Sequence, residues 1–375
     1  MPAPSIATSR WANVLIVLTA FASSQAAVAQ AVNKAADNSN QAEQASAPNA
    51  EDKARQWASQ LEISQGIPAS YTLKVLSEAR YQPKVVEAVK PPKTPTVRNW
   101  DTYRGRFVEP IRIRKGVKFW LDHEEALKQA ETQYGVPQEV IVAIIGVETI
   151  YGEHTGNFRV LDALSTLGFA YPQGQKDRSA FFQDELGAFF VLCQKMKLDP
   201  LEVKGSYAGA VGLGQFMPSS WLNFAVDGNG DGGIDLFHSR QDAIFSVANF
   251  LNVHGWQPGK AGRVLIETPK TPNLTELLAP DILPTFTTKT LTDKGLILKT
   301  PTQADELLAV VELARGDDPP AYVVGGQNFY AVTRYNRSAF YANAVLELAE
   351  ALALRKKLTP GIRQSTGNDR PDRTQ

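Results

Sequence analysis

The sequence predicts a mainly helical fold with a small β region appended late in the chain. Three observations carry this. Long stretches keep apolar residues at helical spacing, the short strand-like runs all fall after residue 290, and a 375-residue chain with 43% hydrophobic residues can bury a substantial core. Equal numbers of basic and acidic residues, 39 of each, argue against nucleic acid as the main partner, since phosphate binding leaves a basic excess. A neutral polymer or small molecule fits better. The single cysteine, Cys193, excludes an internal disulfide and Cys-rich metal motifs, and its apolar surroundings suit a core residue.

Residues 1–29 read as a secretory leader: Arg10 precedes the apolar run Val14 to Phe21, and small residues lead to Ala27-Val28-Ala29. The run is too short to span a bilayer. No cysteine near the cleavage site is available for lipidation, so a soluble, exported, periplasmic protein is expected. Residues 30–50 are rich in Ala, Asn, Gln and Ser and read as a disordered tether. The folded region is expected over residues 51–357, opening with two short helices broken at Pro68 and an extended connector at Lys90 to Pro95. Helices are then expected over Gly116 to Tyr134, Pro137 to Tyr151, Ala180 to Met196, Asp242 to Val253 and Ser338 to Lys357. Strands are expected at Leu296 to Leu298, Ala321 to Val324 and Phe329 to Thr333, and residues 358–375 form a polar tail.

Three features carry chemistry. Pro137 opens a helix whose segment Val140 to Val147 is apolar or glycine on every side, and such a helix is buried. Glu148 ends it, one turn after Ile144, so its carboxylate lies against apolar surface. Burial raises a carboxyl pKa, and a carboxylic acid protonated near neutrality can serve as a general acid. The alternative is a Glu satisfied by backbone amides or an Arg. The segment Gly205 to Trp221 places four glycines within ten residues alongside Ser206, Gln215, Phe216 and Trp221, which suits a sugar groove or close packing of helices. The segment Asp227-Gly-Asn229-Gly-Asp231-Gly-Gly-Ile-Asp235 follows a Ca²⁺-binding loop, but His238 stands where a bidentate Glu belongs, and the next carboxylate is Asp242. It is either a hard-cation site built on Asp227, Asn229, Asp231 and Asp242 or a metal-free Asp/Gly turn. The histidines show no zinc spacing, and no nucleophilic Ser elbow is present.

Ile145-Gly-Val-Glu148-Thr149, Leu161-Asp-Ala-Leu-Ser-Thr-Leu167, the Gly205 to Ser220 segment, and Ser246-Val-Ala-Asn-Phe-Leu251 with His254-Gly-Trp256 together resemble the B-type lytic murein transglycosylases. The resemblance covers roughly Trp57 to Ala353. It implies a lysozyme-like helical core with an added α domain and a small β domain, and it makes Glu148 the sole acid/base catalyst. The implied reaction cleaves the MurNAc-GlcNAc β-1,4 bond of peptidoglycan without water and leaves 1,6-anhydromuramic acid ends. By the same resemblance, glycan contacts fall to Tyr103, Arg178, Ser206, Gln215, Phe250, Tyr335, Asn336 and Tyr341. Phe250 stands where the family often has Tyr, so stacking is kept and a hydrogen bond lost. No cofactor is implied for catalysis, and Asp227, Asn229, Asp231 and Asp242 match a structural Ca²⁺ site of some members. Peptidoglycan strands are the implied partner, with cell-wall synthesis or remodelling proteins as further candidates. A glycan-binding scaffold without turnover and a hydrolytic muramidase are the competing readings.

Overall fold

The computed structural model describes residues 47–91, 97–174, 176–267, 274–303 and 305–359, with side chains from residue 51. The expected leader, most of the tether and nearly all of the tail lie outside the described residues. Helix α1 (Ala47–Gln65) begins within the last four residues assigned to the tether. Gly66, at φ 70°, turns the chain, and Pro68 caps α2 (Ala69–Leu76), so the expected break at Pro68 is present. After α3 (Pro83–Val89), this N-terminal lobe is fastened to the rest by Asp162. That buried carboxylate accepts the Arg80 amide at 2.9 Å, Gln82 Nε2 at 3.1 Å and Arg159 Nε at 2.9 Å. Asp162 therefore joins lobes as a buried structural acid.

The body starts with α4 (Trp100–Phe107), α5 (Pro110–Asp122), α6 (Glu124–Tyr134) and α7 (Gln138–Thr149). The single helix expected over Gly116 to Tyr134 is two helices. His123 leaves helical backbone at φ −125° while its ring packs 4.6 Å from Phe119, and Glu124 and Glu125 restart the chain with acidic residues suited to a helix N-terminus. Helix α7 is the centre of the molecule: Val140 to Val147 are all buried, enclosed by α5, α6 and two later helices, Arg240–Val253 and Ala339–Leu358. Ile141, Ile144 and Ile145 have no exposed surface, and each contributes about 1.5–3 kcal/mol over an exposed position.

The strands β1 (Phe158–Arg159) and β2 (Lys204–Gly205) pair antiparallel around α8 (Val160–Phe169) and α9 (Ser179–Met196). Buried Cys193 lies in α9. The helices α10 (Pro218–Phe224) and α11 (Arg240–Val253) complete this half. The β region contains β3 (Arg263–Glu267), α12 (Thr275–Leu278), β4 (Phe286–Thr287), α13 (Thr288–Asp293), β5 (Ile297–Leu298), β6 (Leu307–Arg315) and β7 (Asp318–Gly325). Its sheet runs β4-β6-β7-β3-β5, with Val324 opposite both Val264 and Val310. Alternate residues face opposite ways: Val264, Leu308, Val310 and Val324 meet Leu277 and Leu291, whereas Ala309, Val311, Leu313 and Val323 join the main core. Burial on both faces explains the almost unbroken apolar run in β6.

The chain ends with α14 (Gln327–Tyr335) and α15 (Ala339–Leu358). The strand expected over Phe329 to Thr333 is therefore part of a helix. Phe329, Val332 and Thr333 are buried at spacings of three and four, a helical face that a short apolar run conceals.

Candidate active site

Glu148 occupies the last turn of α7, part of its surface still open, its carboxyl closely enclosed. Burial raises its pKa to about 7, and a hydrogen bond from Tyr341 opposes the rise. The Tyr341 hydroxyl donates to Oε1 at 2.6 Å. Ser338 positions that tyrosine by capping α15, its Oγ accepting the Tyr341 amide at 3.3 Å. Tyr335, at the end of α14, stacks 6.4 Å from Tyr341 with 13° between rings. Its hydroxyl donates to the Gly214 carbonyl at 2.5 Å. Burial and the Glu148 charge push Tyr335, Tyr341 and Tyr103 upward, so all three remain protonated donors across the physiological range. Tyr103 arrives from α4, where it packs between Phe107 at 5.0 Å and Phe340 at 5.5 Å.

The glycine-rich segment forms the facing wall. Gly214 must lack a side chain because the Tyr335 hydroxyl lies 2.8 Å from where a Cβ would stand. Gln215 follows with φ at 51°, an unfavourable left-handed conformation for a side-chain-bearing residue, and its Nε2 donates to Thr155 O at 3.0 Å and Gly212 O at 3.1 Å. Ser206 Oγ accepts the Ala210 amide at 3.0 Å, which closes a turn and leaves the hydroxyl proton to be donated. Beside it, Tyr207 and Tyr171 act electrostatically on Arg178, whose guanidinium lies 4.9 Å from the Phe181 ring. Phe250 is buried behind Tyr335 at 4.7 Å and is stacked on His254 at 4.0 Å, so it backs the tyrosine. Asn336, also buried, follows Tyr335 at the end of α14. The structure thus gathers Glu148 with Tyr103, Tyr335 and Tyr341, brings the Gln215 segment against Tyr335, and sets Arg178 beside the Ser206-Tyr207 turn.

Residues that sequence reasoning passed over hold this arrangement. Buried Thr149 donates to the Leu213 carbonyl at 2.9 Å and accepts the Gly152 amide at 3.0 Å, tying the end of α7 to the glycine segment. Ile150 and Tyr151 then take φ values of 51° and 62°, ending α7 earlier than expected. Such geometry costs on the order of 1–3 kcal/mol per residue and often accompanies functional sites. The Tyr151 ring folds back between Gly116 and Gly146, where a Cβ on either glycine would overlap it. Arg112 lies on the buried face of α5 and donates through Nε to the Gly146 carbonyl at 2.9 Å. Nothing in the sequence singled it out, because Arg114, Lys115 and Lys118 are basic in the same helix and Lys115 stands three residues on, towards the same side.

The acidic loop is closed by its own backbone. Asp227 accepts the Gly230 and Gly232 amides at 2.7 and 2.8 Å, and Asn229 and Asp231 are joined at 2.9 Å. Asp242 is almost fully buried and brackets the loop by accepting the Gly228 and Asp235 amides at 2.9 and 2.7 Å. His238 pairs with Asp235 at 3.0 Å. Among the described residues no group of three or more His, Cys, Asp and Glu side chains is assembled as a metal centre. The oxygen-only character of Asp227, Asn229, Asp231 and Asp242 still suits a hard cation, because a carboxylate oxygen that accepts one amide keeps a further lone pair.

Comparison with known proteins decides the family. The transglycosylase SLT domain model matches residues 49–350. The chain belongs to the B-type lytic transglycosylase family. It is 38% identical over 312 residues to the Escherichia coli membrane-bound lytic murein transglycosylase B, covering 80% of this chain and 82% of that protein. The soluble lytic transglycosylase SltB1 of Pseudomonas aeruginosa superposes with a TM-score of 0.74 at 38% identity, over 81% of this chain and 99% of the other. Escherichia coli Slt35, solved in complex with calcium, gives a TM-score of 0.70 at 37% identity over 83% and 94%. Pseudomonas aeruginosa SltB3, solved with NAG-anhNAM-pentapeptide, gives 0.69 at 27% identity over 81% and 80%. The lysozyme-like helical architecture with a small β region is that of these transglycosylases.

Proposed function

We propose that this chain is a lytic transglycosylase that cleaves the MurNAc-GlcNAc β-1,4 bond of peptidoglycan without water, with Glu148 as acid and then base. The observation that carries the reading is one enclosed carboxyl whose pKa is raised to about 7 and whose hydrogen-bond partner is a tyrosine. Burial and the Tyr341 hydroxyl are the influences acting on Glu148, and neither comes from a second carboxylate. Glycosidases that work with two carboxyls pair an acid with a nucleophile or base. With one, the substrate must supply the nucleophile. Glu148 donates its proton to the glycosidic oxygen as the C1–O bond breaks, and the muramoyl acetamido carbonyl oxygen bonds C1 to form an oxazolinium-like intermediate. The Glu148 carboxylate then removes the proton of the C6 hydroxyl. That oxygen attacks C1, the acetamido carbonyl departs, and Glu148 is again protonated. The intramolecular hydroxyl has a high effective molarity if the cleft holds the ring in attack geometry.

Digestion of purified peptidoglycan, followed by mass analysis, is expected to yield muropeptides one water lighter than hydrolysis products. Reducing-end products would make the protein a muramidase, and intact peptidoglycan would make it a binding scaffold. The complex of SltB3 with NAG-anhNAM-pentapeptide supports an anhydro product. Tyr103, Arg178, Ser206, Gln215, Tyr335, Asn336 and Tyr341 line or support the glycan path in this reading, with Phe250 behind Tyr335. The leader at residues 1–29 delivers the chain to the periplasm, residues 30–50 act largely as a tether, and 51–357 form the catalytic region ahead of the tail. No helix among the described residues is long and apolar enough to cross a membrane.

A structural Ca²⁺ held by Asp227, Asn229, Asp231 and Asp242 belongs to the same proposal, supported by the calcium complex of Slt35. When bound, the ion neutralises clustered carboxylates and stiffens the loop. Calcium is expected to raise the melting temperature, since a ligand held only by the folded state stabilises it by mass action. Magnesium is expected to do less, because it requires octahedral geometry and gives up water reluctantly. Identical thermal transitions in chelator and in Ca²⁺ would identify the loop as a metal-free turn.

A further inference from the structure

We propose that Arg112 is a positioning residue for the reaction: its guanidinium locks the helix that carries Tyr103 to the helix that carries Glu148. The inference rests on the acid/base reading of Glu148 and adds to it a residue that touches neither substrate nor reacting atoms.

Arg112 is 6% exposed, unusual for an arginine, and its charge is distributed over backbone carbonyls of two helices. Nε donates to Gly146 O at 2.9 Å, two residues before Glu148 on α7. One terminal nitrogen donates to the carbonyls of Arg106 and Phe107, the latter at 3.2 Å, in the last turn of α4, three and four residues after Tyr103. These are carbonyls that a helix C-terminus leaves without internal partners, and a cation there also complements the helix dipole. The Phe107 ring lies 5.3 Å from the guanidinium carbon and 5.0 Å from the Tyr103 ring, so the packing runs from Arg112 through Phe107 to Tyr103. Glu109 caps α5 with 2.7 and 2.5 Å bonds to the Ile111 and Arg112 amides and lies 3.9 Å from the guanidinium, which fixes the base of the side chain. Tyr151 is the other titratable group acting on it. A guanidinium can bridge in this way because its planar fork presents several donors at once. Lysine carries its three donors on one nitrogen at the end of a flexible stem, so it cannot span the Gly146 carbonyl and the α4 carbonyls with a fixed fork.

The lock matters because α4 packs its Tyr103 5.5 Å from Phe340, the neighbour of Tyr341, at the Glu148 site. Its Tyr103 feels the Glu148 charge, as do Tyr335 of α14 and Tyr341 of α15. All three phenols are pushed above their ordinary range, so Glu148 is the group in this ring that titrates near neutrality. Loosening α4 admits water to the carboxyl, favours its ionised form and lowers its pKa. A general acid must be protonated, so the alkaline limb of activity moves to lower pH.

The test measures kcat and KM on purified peptidoglycan across pH, with thermal melts, for Arg112→Lys and Phe107→Leu, the second leaving the buried arginine in place. Arg159→Lys, which disturbs the Asp162 junction of the N-terminal lobe, is the structural control. Arg112→Lys is expected to lower kcat on the order of 10-fold with KM little changed and to shift the alkaline limb downward. Phe107→Leu should shift it the same way by less, whereas Arg159→Lys should lower only the melting temperature. If both Arg112→Lys and Phe107→Leu keep the wild-type kcat and alkaline limb, or if Arg112→Lys fails to fold and Phe107→Leu leaves the limb in place, Arg112 is only structural. A wild-type enzyme with no alkaline limb near pH 7, or an active Glu148→Gln variant, would instead overturn the acid/base reading and the role of Arg112 with it.

Discussion

Glu148→Gln is expected to abolish nearly all turnover while leaving the fold and glycan binding in place. General acid/base catalysis contributes about 100-fold to 10,000-fold, and in the single-carboxyl mechanism one residue supplies both proton transfers. The loss should therefore sit at or beyond the upper end of that range and appear in kcat. Gln keeps the length of Glu, and its amide oxygen can still accept the Tyr341 hydroxyl proton. The pH dependence of stability separates lost chemistry from lost structure. Glu148 has a folded-state pKa of about 7, above its ordinary 4.5, so its ionisation opposes folding. The stability associated with its protonated form is complete below pH 4.5 and lost as pH rises through 7. At pH 8 the Gln variant, which cannot ionise, should melt no lower than the wild type. Melting curves beside single-time-point digests check this: an active variant would remove Glu148 from the acid role, and an inactive one that melts well below wild type would assign the loss to structure.

Tyr341→Phe is expected to be the second most damaging change. The variant loses a 2.6 Å hydrogen bond to the carboxylate and almost none of the buried ring. A hydrogen bond to a charged group contributes about 1.5–3 kcal/mol, which corresponds to about 10-fold to 150-fold when the bond serves the step in which Glu148 is ionised. The bond also lowers the Glu148 pKa against the upward push of burial. Its removal should raise that pKa further, so the alkaline limb moves to higher pH while the maximal rate falls. This shift is opposite in sign to the one expected for Arg112→Lys. A pH-rate profile for the two variants distinguishes the withdrawn hydrogen bond from the opened cover, and an unshifted Tyr341→Phe limb would mean that the tyrosine packs without tuning the acid.

Some of this was legible in the chain because it is local. The all-apolar turns from Val140 to Val147 required a buried helix, and a carboxylate at the end of that helix was marked by its setting alone. The glycines from Gly205 to Gly214 announced close backbone approach, which the Tyr335 hydroxyl against Gly214 makes concrete. The spacing from Asp227 to Asp235 likewise marked an oxygen-rich loop. Short segments were less legible. Phe329 to Thr333 has an apolar content compatible with strand or helix, and only the core beneath it selects the helical face. His123 divides a helix that the periodicity of Gly116 to Tyr134 had joined, because ring packing on Phe119 is a tertiary contact.

The sequence by itself determined the helical class, the late β region and Glu148 as the candidate acid, since each depends on spacing within a few turns of chain. The resemblance named Tyr103, Tyr335 and Tyr341 as cleft residues, but tertiary structure alone decided how they meet that acid. Tyr341 stands 193 residues from Glu148 along the chain, and Tyr103 and Tyr335 come from two further helices. Arg112, one of several basic residues in its helix, is distinguished only by the carbonyls it meets. The physical reason is that a pKa and a hydrogen bond depend on distance in space, which local periodicity constrains along one helix but leaves open between helices.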